Sequence, residues 1–506
     1  MAAETRAGGS AYFSGPAAVR LFLTCWMIYC LHFWPFIVRE LYLTMSLVEK
    51  QSAQVEEYAG LHSDLFEIPG RGWYVSANPG TSLLAAVPYG LAYPVVQRVA
   101  PVRPAQPGEK VSAEYNEERA NKLAFYRKVR ERGLDLRLGV AAMITVVFLM
   151  APLTALSAVV MFRLLGRLGY SQAAGLWLAL LYALGTPVFF RTATLSLNLL
   201  VCLLGFFAFA LLWWPQGTLP GRQRLRLVAA GFLAGYAVMT DYSGVVTASV
   251  LGLFAFAREL ETKRLGTALR DSLWFLAGAV WPLAFLLYWQ WVCYGNPWLP
   301  VQVYMPKQVF AGYASQYGFG WPQPKALWSL LFDPLYGLLV FSPLLAIVLY
   351  HPALLRRGTS RLPRRIAVWA WVFSVAVWVF CASVHYTLRH QWQDGVRYMV
   401  PAVPFLFLLV ADVLARMPRW LALLTGGVAT VETVCLSMVR ESPLESLTRV
   451  FTHGVEFPWL TALARTAPQY YPPLAENSAP VAWGAFALAG IMVLLIWVAG
   501  PKQRST

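Results

Sequence analysis

Residues 82–97 read SLLAAVPYGLAYPVVQ, and the topology of the whole chain depends on whether this apolar stretch crosses a membrane. Pro88, Gly90 and Pro94 lie inside it, and a proline within a helix removes a backbone hydrogen bond and clashes with the preceding turn. We therefore expect a re-entrant or interfacial element that does not traverse the bilayer. The hydropathy and the charges of the rest of the chain test this expectation.

The composition is that of a membrane-embedded chain. Of its 506 residues 58% are hydrophobic and only 13% are charged, with a mean hydropathy of +0.52, whereas soluble domains average about 25% charged residues. A transmembrane helix needs about 20 mostly apolar residues. Twelve segments approach this: 17–38, 138–162, 174–190, 195–213, 227–240, 243–257, 273–292, 334–350, 366–384, 398–414, 420–438 and 481–499. We predict an all-α polytopic membrane protein forming a single unit over residues 1–506.

Basic residues set the orientation. If residues 82–97 do not cross, the segments on one side carry eighteen Lys and Arg residues, and the short loops on the other side carry three, Arg191, Arg389 and Arg397. This asymmetry satisfies the positive-inside rule, which a thirteenth crossing would invert. Both termini are then cytoplasmic, and the long outer segments are 39–137, 293–333 and 439–480. The net charge of +16 follows from this topology and does not imply nucleic-acid binding.

The inner loops are too short for a nucleotide-binding domain. None exceeds about fifteen residues, and none contains a GxGxxG or GxxxxGK[ST] turn. The six cysteines have no CxxC spacing, so neither a disulfide framework nor a zinc site is indicated. Catalysis, if present, belongs to the outer face. An enzyme there needs a substrate delivered through the bilayer, and a sugar carried on a polyprenyl phosphate meets that need.

Two acids in the first outer segment are catalytic candidates. Glu40 follows Arg39 directly after the first span, where a carboxylate suits a general base on an acceptor hydroxyl or a metal ligand near a phosphate. Asp64 follows His62, and both precede the turn-rich stretch containing Tyr74 and Asn78. These residues are candidates to line a substrate cavity. The alternatives are an ordinary helix end at Glu40 and an ordinary structured loop around Asp64.

Basic and aromatic residues of two later outer loops are candidates to contact a phosphate or a lipid. A guanidinium at Arg397 would grip a phosphate through two parallel hydrogen bonds. Further candidates of this kind are Tyr398, Arg389 and Lys307. The remaining cavity candidates are Asp241, in the turn between the fifth and sixth spans, and His390 and Asp394, in the loop before Arg397. Those last two are also weak candidates for metal ligands, and a divalent metal ion stays open as a cofactor.

These motifs together resemble the GT-C class of glycosyltransferases, which includes protein mannosyltransferases and lipid A aminoarabinose transferases. The resemblance covers most of the chain and rests on four features. They are Glu40 after the first span, the segment from Gly72-Trp73-Tyr74 to Pro79-Gly80, a Gly295-Asn296-Pro297 loop leading to Phe332-Asp333-Pro334-Leu335-Tyr336-Gly337-Leu338, and Gly395-Val396-Arg397-Tyr398 with Pro401 and Pro404.

The resemblance implies transfer of a sugar from a polyprenyl-phosphate donor to an acceptor lipid, glycan or protein on the periplasmic face of a bacterial cell membrane, as part of cell-envelope synthesis. Glu40 would be the catalytic base or an acid that orients the acceptor, and Arg397 would contact the donor phosphate. The chain departs from the family pattern in three places. Arg39 stands where mannosyltransferases often carry an aspartate, Ala77-Asn78-Pro79-Gly80 lacks the family's lysine, and residues 186–196 contain no acid.

Two other functional classes remain open. A lipid or solute transporter would normally show internal repeats and discontinuous helices around a site at the bilayer midplane, and no repeat is visible. A non-catalytic partner that kept the GT-C fold is favoured by the missing acids.

Overall fold

The computed structural model describes residues 15–104, 120–213, 220–261, 263–306, 319–384, 396–466 and 478–498. Helices dominate these residues, and one antiparallel hairpin is the β-structure assigned as strands among them. The helices are α1 Pro16–Leu31, α2 Arg39–Glu49, α3 Gly80–Val99, α4 Ala120–Glu131, α5 Asp135–Thr145, α6 Ala151–Arg167, α7 Gln172–Leu184, α8 Pro187–Thr192, α9 Leu197–Trp213, α10 Pro220–Thr240, α11 Gly244–Leu260, α12 Leu265–Tyr294, α13 Pro324–Phe332, α14 His351–Arg356, α15 Arg364–Ser383, α16 Val403–Leu414, α17 Arg419–Val439, α18 Pro443–His453, α19 Pro458–Thr466 and α20 Ser478–Val498. The strands are β1 Leu65–Ile68 and β2 Gly72–Val75.

The helices agree with the prediction of an all-α membrane protein. Within the described residues five helical segments are long and apolar enough to cross a bilayer: Asp135–Arg167, Leu265–Tyr294, Arg364–Ser383, Arg419–Val439 and Pro480–Val498. Shorter apolar helices cover Pro16–Leu31, Gln172–Leu184, Leu197–Trp213, Pro343–Arg356 and Val400–Leu414. Together with α10 and α11 they overlap the twelve predicted segments, although the eighth, 334–350, is irregular up to residue 342 and a 3-10 helix from Pro343 to Tyr350. The number of crossings itself stays a prediction.

The first predicted span ends earlier than residue 38. Helix α1 stops at Leu31, and residues 33–38 are extended until α2 begins at Arg39. Trp34 precedes Pro35, and a residue before proline is pushed out of the helical region. The Trp34 N–H instead donates to the carbonyl of Ala193, 2.7 Å away. This extended segment carries the chain across the end of the bundle to α2.

The stretch that decides the topology forms one continuous helix, α3, that runs through both prolines. One of its faces packs against α2 and α5. The opposite face exposes an apolar stripe formed by Val87, Leu91, Val95 and Val99. An exposed stripe of this kind suits a helix lying against lipid. Its placement as a re-entrant or interfacial element stays a prediction.

The start of α3 is fixed against two neighbouring helices. A Cβ added to Gly80 would lie 2.7 Å from the carbonyl oxygen of Met239 in α10, so only glycine permits this approach. The Ser82 hydroxyl donates to the carbonyl of Glu40 at 2.8 Å. Helix α2, with Glu40 in its first turn, is thereby held against α3, which in turn packs on α10.

The hairpin brings two polar side chains to its open end. Its register pairs Leu65 with Val75, so Asp64 and Ser76 lie just beyond the last pair. The Ser76 N–H donates to the Asp64 carbonyl at 2.9 Å, which closes this end. Both side chains face the N-terminus of α2.

Candidate active site

A cleft of about 510 Å³, counted together with the solvent at its open mouth, is lined by residues at the N-termini of α2 and α9. Four separate parts of the chain form its walls: the extended segment before α2, the residues before β1, the α8–α9 connection and the approach to α16. Its lining residues are Phe36, Val38, Arg39, Glu40, His62, Asp64, Arg191, Thr194, Leu195, Ser196, Leu197, Asn198 and Arg397. Charged side chains from distant positions therefore face one space.

One wall is a carboxylate pair joined by a guanidinium. Arg39 Nε lies 2.9 Å from Glu40 Oε1, and Arg39 Nη1 lies 2.8 Å from Asp64 Oδ2. Arg39 Nη1 also donates to Ser76 Oγ at 3.1 Å. Glu40 is only 3% exposed and sits in the first turn of α2, where the helix dipole favours a negative charge.

The charges on this wall support each other. Burial alone would raise the pKa of Asp64, but Arg39, with His62 and Arg397, holds it below its usual value. Burial alone would lower the pKa of Arg39, but Asp64 and Glu40 raise it further above its usual value. Asp64 and Arg39 are therefore both charged at neutral pH, and each stabilises the ionised form of the other.

His62 contributes a neutral imidazole. Burial lowers its pKa, and the nearby guanidiniums of Arg39 and Arg397 add to that effect while Asp64 opposes it. The backbone N–H of Asp64 donates to His62 Nδ1 at 3.0 Å. This bond leaves the proton of the neutral ring on Nε2, so the side chain is a hydrogen-bond donor through that atom.

A second part of the lining is cationic and includes the N-terminus of α9. Arg397 Nε donates to Asn198 Oδ1 at 3.2 Å, and Arg191 Nη2 donates to Ser196 Oγ at 3.0 Å. Arg191 and Asn198 are 4% and 1% exposed. The amide nitrogen of Asn198 is buried and has no hydrogen-bond partner among the described residues. A buried donor without a partner costs free energy unless a ligand completes it.

The sequence-predicted site residues separate into three groups. Glu40, Asp64, His62 and Arg397 meet in the cleft, although up to 357 positions separate them in the sequence. Tyr398 lies beside Arg397, whose guanidinium carbon is 5.2 Å from the centre of its ring.

The other candidates lie elsewhere. Tyr74 donates to the carbonyl of Arg71 and packs on Tyr294, so it supports the hairpin. Asn78 donates to the carbonyl of Val238 at 2.9 Å and ties the start of α3 to α10. Asp241 accepts the N–H of Ser243 at 2.8 Å in the turn before α11. A role for these three in substrate binding stays a prediction.

Four predicted site residues lie outside the described residues: Arg389, His390, Asp394 and Lys307. Within the described ranges, no group of three or more His, Cys, Asp or Glu side chains has a metal-binding arrangement.

The sequence reading did not select the α8–α9 connection as part of the site. Residues 191–198 read RTATLSLN, and five of the eight are polar although they join two apolar helices. All eight are buried. Polar side chains concentrated in a short buried connection were the signal that could have identified this wall, because buried polar groups need partners.

The fold is similar to that of solved structures of the aminoarabinose transferase ArnT from Cupriavidus metallidurans. The apo structure matches with a TM-score of 0.50 and 14% sequence identity over 95% of this chain and 75% of that one. The structure bound to undecaprenyl phosphate matches with a TM-score of 0.50 and 15% identity over 97% of this chain and 77% of that one.

The chain has an ArnT-like fold. ArnT is a GT-C glycosyltransferase, so the resemblance read from the sequence is confirmed at the level of fold. No protein-family model and no curated protein sequence matches this chain. The ArnT-like fold and the apolar helices make it an integral membrane protein.

Proposed function

We propose that the chain is a GT-C-type glycosyltransferase that moves a sugar from a polyprenyl-phosphate donor to an acceptor on the outer face of the membrane. The observation that carries the proposal is the cleft itself. Its lining combines a buried carboxylate, Glu40, with the guanidiniums of Arg191 and Arg397. Transfer from a phosphate-linked donor needs both a base and a cationic leaving-group site.

The cationic wall suits the phosphate of the donor. The lining of the cleft includes Arg191, Arg397 and Asn198, the last in the first turn of α9. Guanidiniums bind phosphate oxygens through paired hydrogen bonds, and a helix N-terminus attracts anions. An ArnT structure with the same fold contains undecaprenyl phosphate, which supports a lipid phosphate as the ligand here.

The reaction follows from the two walls. Glu40 accepts the proton of the acceptor hydroxyl as that oxygen forms a bond to the anomeric carbon of the sugar. The bond from the anomeric carbon to the phosphate oxygen breaks, and its electron pair leaves with the polyprenyl phosphate. Arg397 and Arg191 stabilise the charge that develops on this leaving group. A single displacement of this kind inverts the anomeric centre.

The outer placement of the cleft is part of the proposal. The positive-inside rule places α2, the hairpin and Arg397 on the face opposite the cytoplasm, with both termini cytoplasmic. In a bacterium this face is the periplasmic side of the inner membrane. The acceptor is a lipid, glycan or protein present there.

Replacement of Glu40 by glutamine tests the proposal. Glu40→Gln keeps the size and the hydrogen-bonding geometry but removes the base, so transfer from a panel of undecaprenyl-phosphate-linked sugars should fall by roughly 10²- to 10⁴-fold. Binding of undecaprenyl phosphate should be retained, because the phosphate site lies on the other wall.

Glu67→Gln is the matched control, because Glu67 is exposed on β1 of the same outer segment. This variant should transfer at the rate of the unaltered chain. Full activity of Glu40→Gln would remove Glu40 from the mechanism. Movement of a lipid or solute by the unaltered chain in acceptor-free liposomes, with no transfer, would instead support a transporter.

A further inference from the structure

Arg39 occupies the space between the two acids of the cleft. Its guanidinium contacts Glu40 at 2.9 Å through Nε and Asp64 at 2.8 Å through Nη1. It also donates to the Ser76 hydroxyl at 3.1 Å. Two carboxylates and a hydroxyl are oxygen donors of the kind that Mg²⁺ or Mn²⁺ prefers. A guanidinium holds the place that such an ion would take.

The donor set does not suit a divalent ion while Arg39 is present. Oxygen ligands bind Mg²⁺ or Ca²⁺ at about 2.0–2.6 Å, and both acids are instead paired with the guanidinium. The side chain of Arg39 is only 18% exposed, and its backbone adjoins Glu40. The nitrogen His62 Nδ1 accepts the N–H of Asp64 at 3.0 Å. A metal ion would have to displace an anchored cation from its own ligands.

The electrostatics of Arg39 match the role of a permanent charge. Asp64 and Glu40 raise its pKa above an already high value despite its burial. Arg39 in turn holds the pKa of Asp64 down. An arginine is protonated at every physiological pH. Glu40 and Asp64 therefore have a permanently charged counter-ion, Arg39, which is part of the chain and cannot be removed by a chelator.

We propose that the guanidinium of Arg39 is the resident cation of the carboxylate pair, and that lipid-phosphate binding and sugar transfer in this cleft need no divalent metal ion. The statement about sugar transfer rests on the proposed function. The statement that Arg39 is the resident cation of the two acids does not depend on that function. Arg39 is a positioning residue: it fixes the orientation of Glu40 and Asp64 and neutralises one of their two charges. The leaving phosphate is neutralised by Arg191 and Arg397, which are also guanidiniums.

Removing Arg39 should create a metal site where none operated before. In the purified full chain, Mn²⁺ binding followed by electron paramagnetic resonance should show no stoichiometric binding to this cleft. Arg39→Ala frees both carboxylates and should bind about one Mn²⁺ per chain. Adding Asp64→Asn to that variant should abolish the binding. A purely structural role for Arg39 would not produce a new metal site that depends on Asp64.

The lipid phosphate supplies a second readout. Binding of undecaprenyl phosphate by the unaltered chain should be the same with a chelator and with Mn²⁺. In Arg39→Ala, binding should become stronger with Mn²⁺ than with chelator by about 10-fold or more. Arg39→Lys keeps a positive charge and should remain indifferent to Mn²⁺. If Arg39→Ala does not fold, Arg39→Gln carries the same test, because it keeps a polar side chain between the acids without the charge.

Two outcomes would overturn the inference. One is stoichiometric Mn²⁺ or Zn²⁺ binding by the unaltered chain that disappears in Asp64→Asn. The other is a loss of undecaprenyl-phosphate binding when the unaltered chain is treated with a chelator. Failure to bind undecaprenyl phosphate under any condition would count against the proposed function instead. Comparing Mn²⁺ binding by Arg39→Ala with binding by the double variant that also carries Asp64→Asn would still test whether Arg39 is the resident cation.

Discussion

Buried acids meet arginines at both ends of helix α16, and the two clusters differ in what surrounds them. Before its start, Arg397 faces the cleft with Glu40 and Asp64. Near its end, Asp412 is 1% exposed and accepts hydrogen bonds from Ser360 Oγ at 2.7 Å, the Arg361 N–H at 3.0 Å and Arg416 Nη1 at 2.5 Å. The chemical components are the same, an acid, a hydroxyl and an arginine.

The space beside the acids separates the two clusters. Three donors bind the carboxylate of Asp412, and His351 Nε2 lies 3.4 Å from its Oδ2, so protein groups enclose this acid. The acids of the cleft instead line an open space, and the buried amide nitrogen of Asn198 in the same lining has no hydrogen-bond partner among the described residues. An acid enclosed by protein groups stabilises a fold, whereas one that lines a cavity is suited to a ligand. Burial of charge alone does not distinguish a site from a structural contact.

The largest expected effect that tests this comparison is a loss of stability when Asp412 is replaced. Asp412→Ala removes the carboxylate that pairs with Arg416 and accepts the Arg361 N–H and the Ser360 hydroxyl, and removing one partner of a buried ion pair costs about 3–5 kcal/mol. The lower part of that range applies, because the Arg416 side chain is partly exposed to solvent. Thermal unfolding in detergent should show the loss, while the folded fraction binds undecaprenyl phosphate with unchanged affinity.

Ser360→Ala is the milder control at the same cluster and should cost about 1 kcal/mol, the usual contribution of one hydrogen bond. A large drop in undecaprenyl-phosphate affinity for Asp412→Ala, with no change in unfolding, would contradict the structural assignment of this cluster.

The second-largest expected effect is a loss of affinity for undecaprenyl phosphate when Asn198 is replaced. Asn198→Leu keeps the volume but removes both the unpartnered amide donor and the acceptor of Arg397 Nε. A hydrogen bond to a charged group contributes about 1.5–3 kcal/mol, so undecaprenyl phosphate should bind at least about 10-fold more weakly. The free energy of unfolding should also fall, by about 1–3 kcal/mol, because Arg397 Nε loses its acceptor.

A titration of lipid phosphate against Asn198→Leu, with thermal unfolding measured on the same sample, checks both statements. If the variant unfolded readily and bound the lipid normally, Asn198 would belong with Asp412 as a structural residue.

The smallest effect is the pH dependence contributed by His62. Its pKa is lowered in the folded protein, mainly by burial. The unfolded chain therefore binds a proton near the ordinary pKa of about 6.5 that the folded chain does not, and stability falls as the pH drops below that value. His62→Gln should flatten the decline in melting temperature between about pH 7 and pH 5. His453→Gln, at an exposed histidine of α18, is the control and should leave the decline unchanged.

Asp64 adds to the acid sensitivity at lower pH. Its pKa is also lowered, so its contribution to stability is present above its ordinary value of 3.8 and is lost as the pH falls through the folded-state value. Both groups lower the stability of the folded protein as the pH falls, His62 below its ordinary pKa and Asp64 at a lower pH, below 3.8. A melting curve of His62→Gln identical to that of the unaltered chain from pH 7 to pH 5 would contradict the burial of a neutral imidazole in the cleft.

The helices could be predicted because hydrophobicity and length suffice to identify them. The predicted segments correspond to helices in the structure, yet the ends moved where local chemistry overrides hydropathy, as at Pro35. Glu40, Asp64 and Arg397 were selected because charges beside apolar spans are costly and few. Asn198 and Arg191 were missed as ligands because their side chains become a wall of the cleft only when α8 and α9 pack against α16.

The sequence by itself determined that the chain is a helical membrane protein and which of its parts carry the charge, because transfer from water to lipid depends on composition and length alone. The tertiary structure alone decided which charges meet. Glu40, Asp64 and Arg397 converge because the hairpin closes against α2 and the α8–α9 connection approaches α16, and Arg39 lies between the two acids as a result. Interactions between groups that are far apart in sequence depend on distances in space, which hydropathy does not encode.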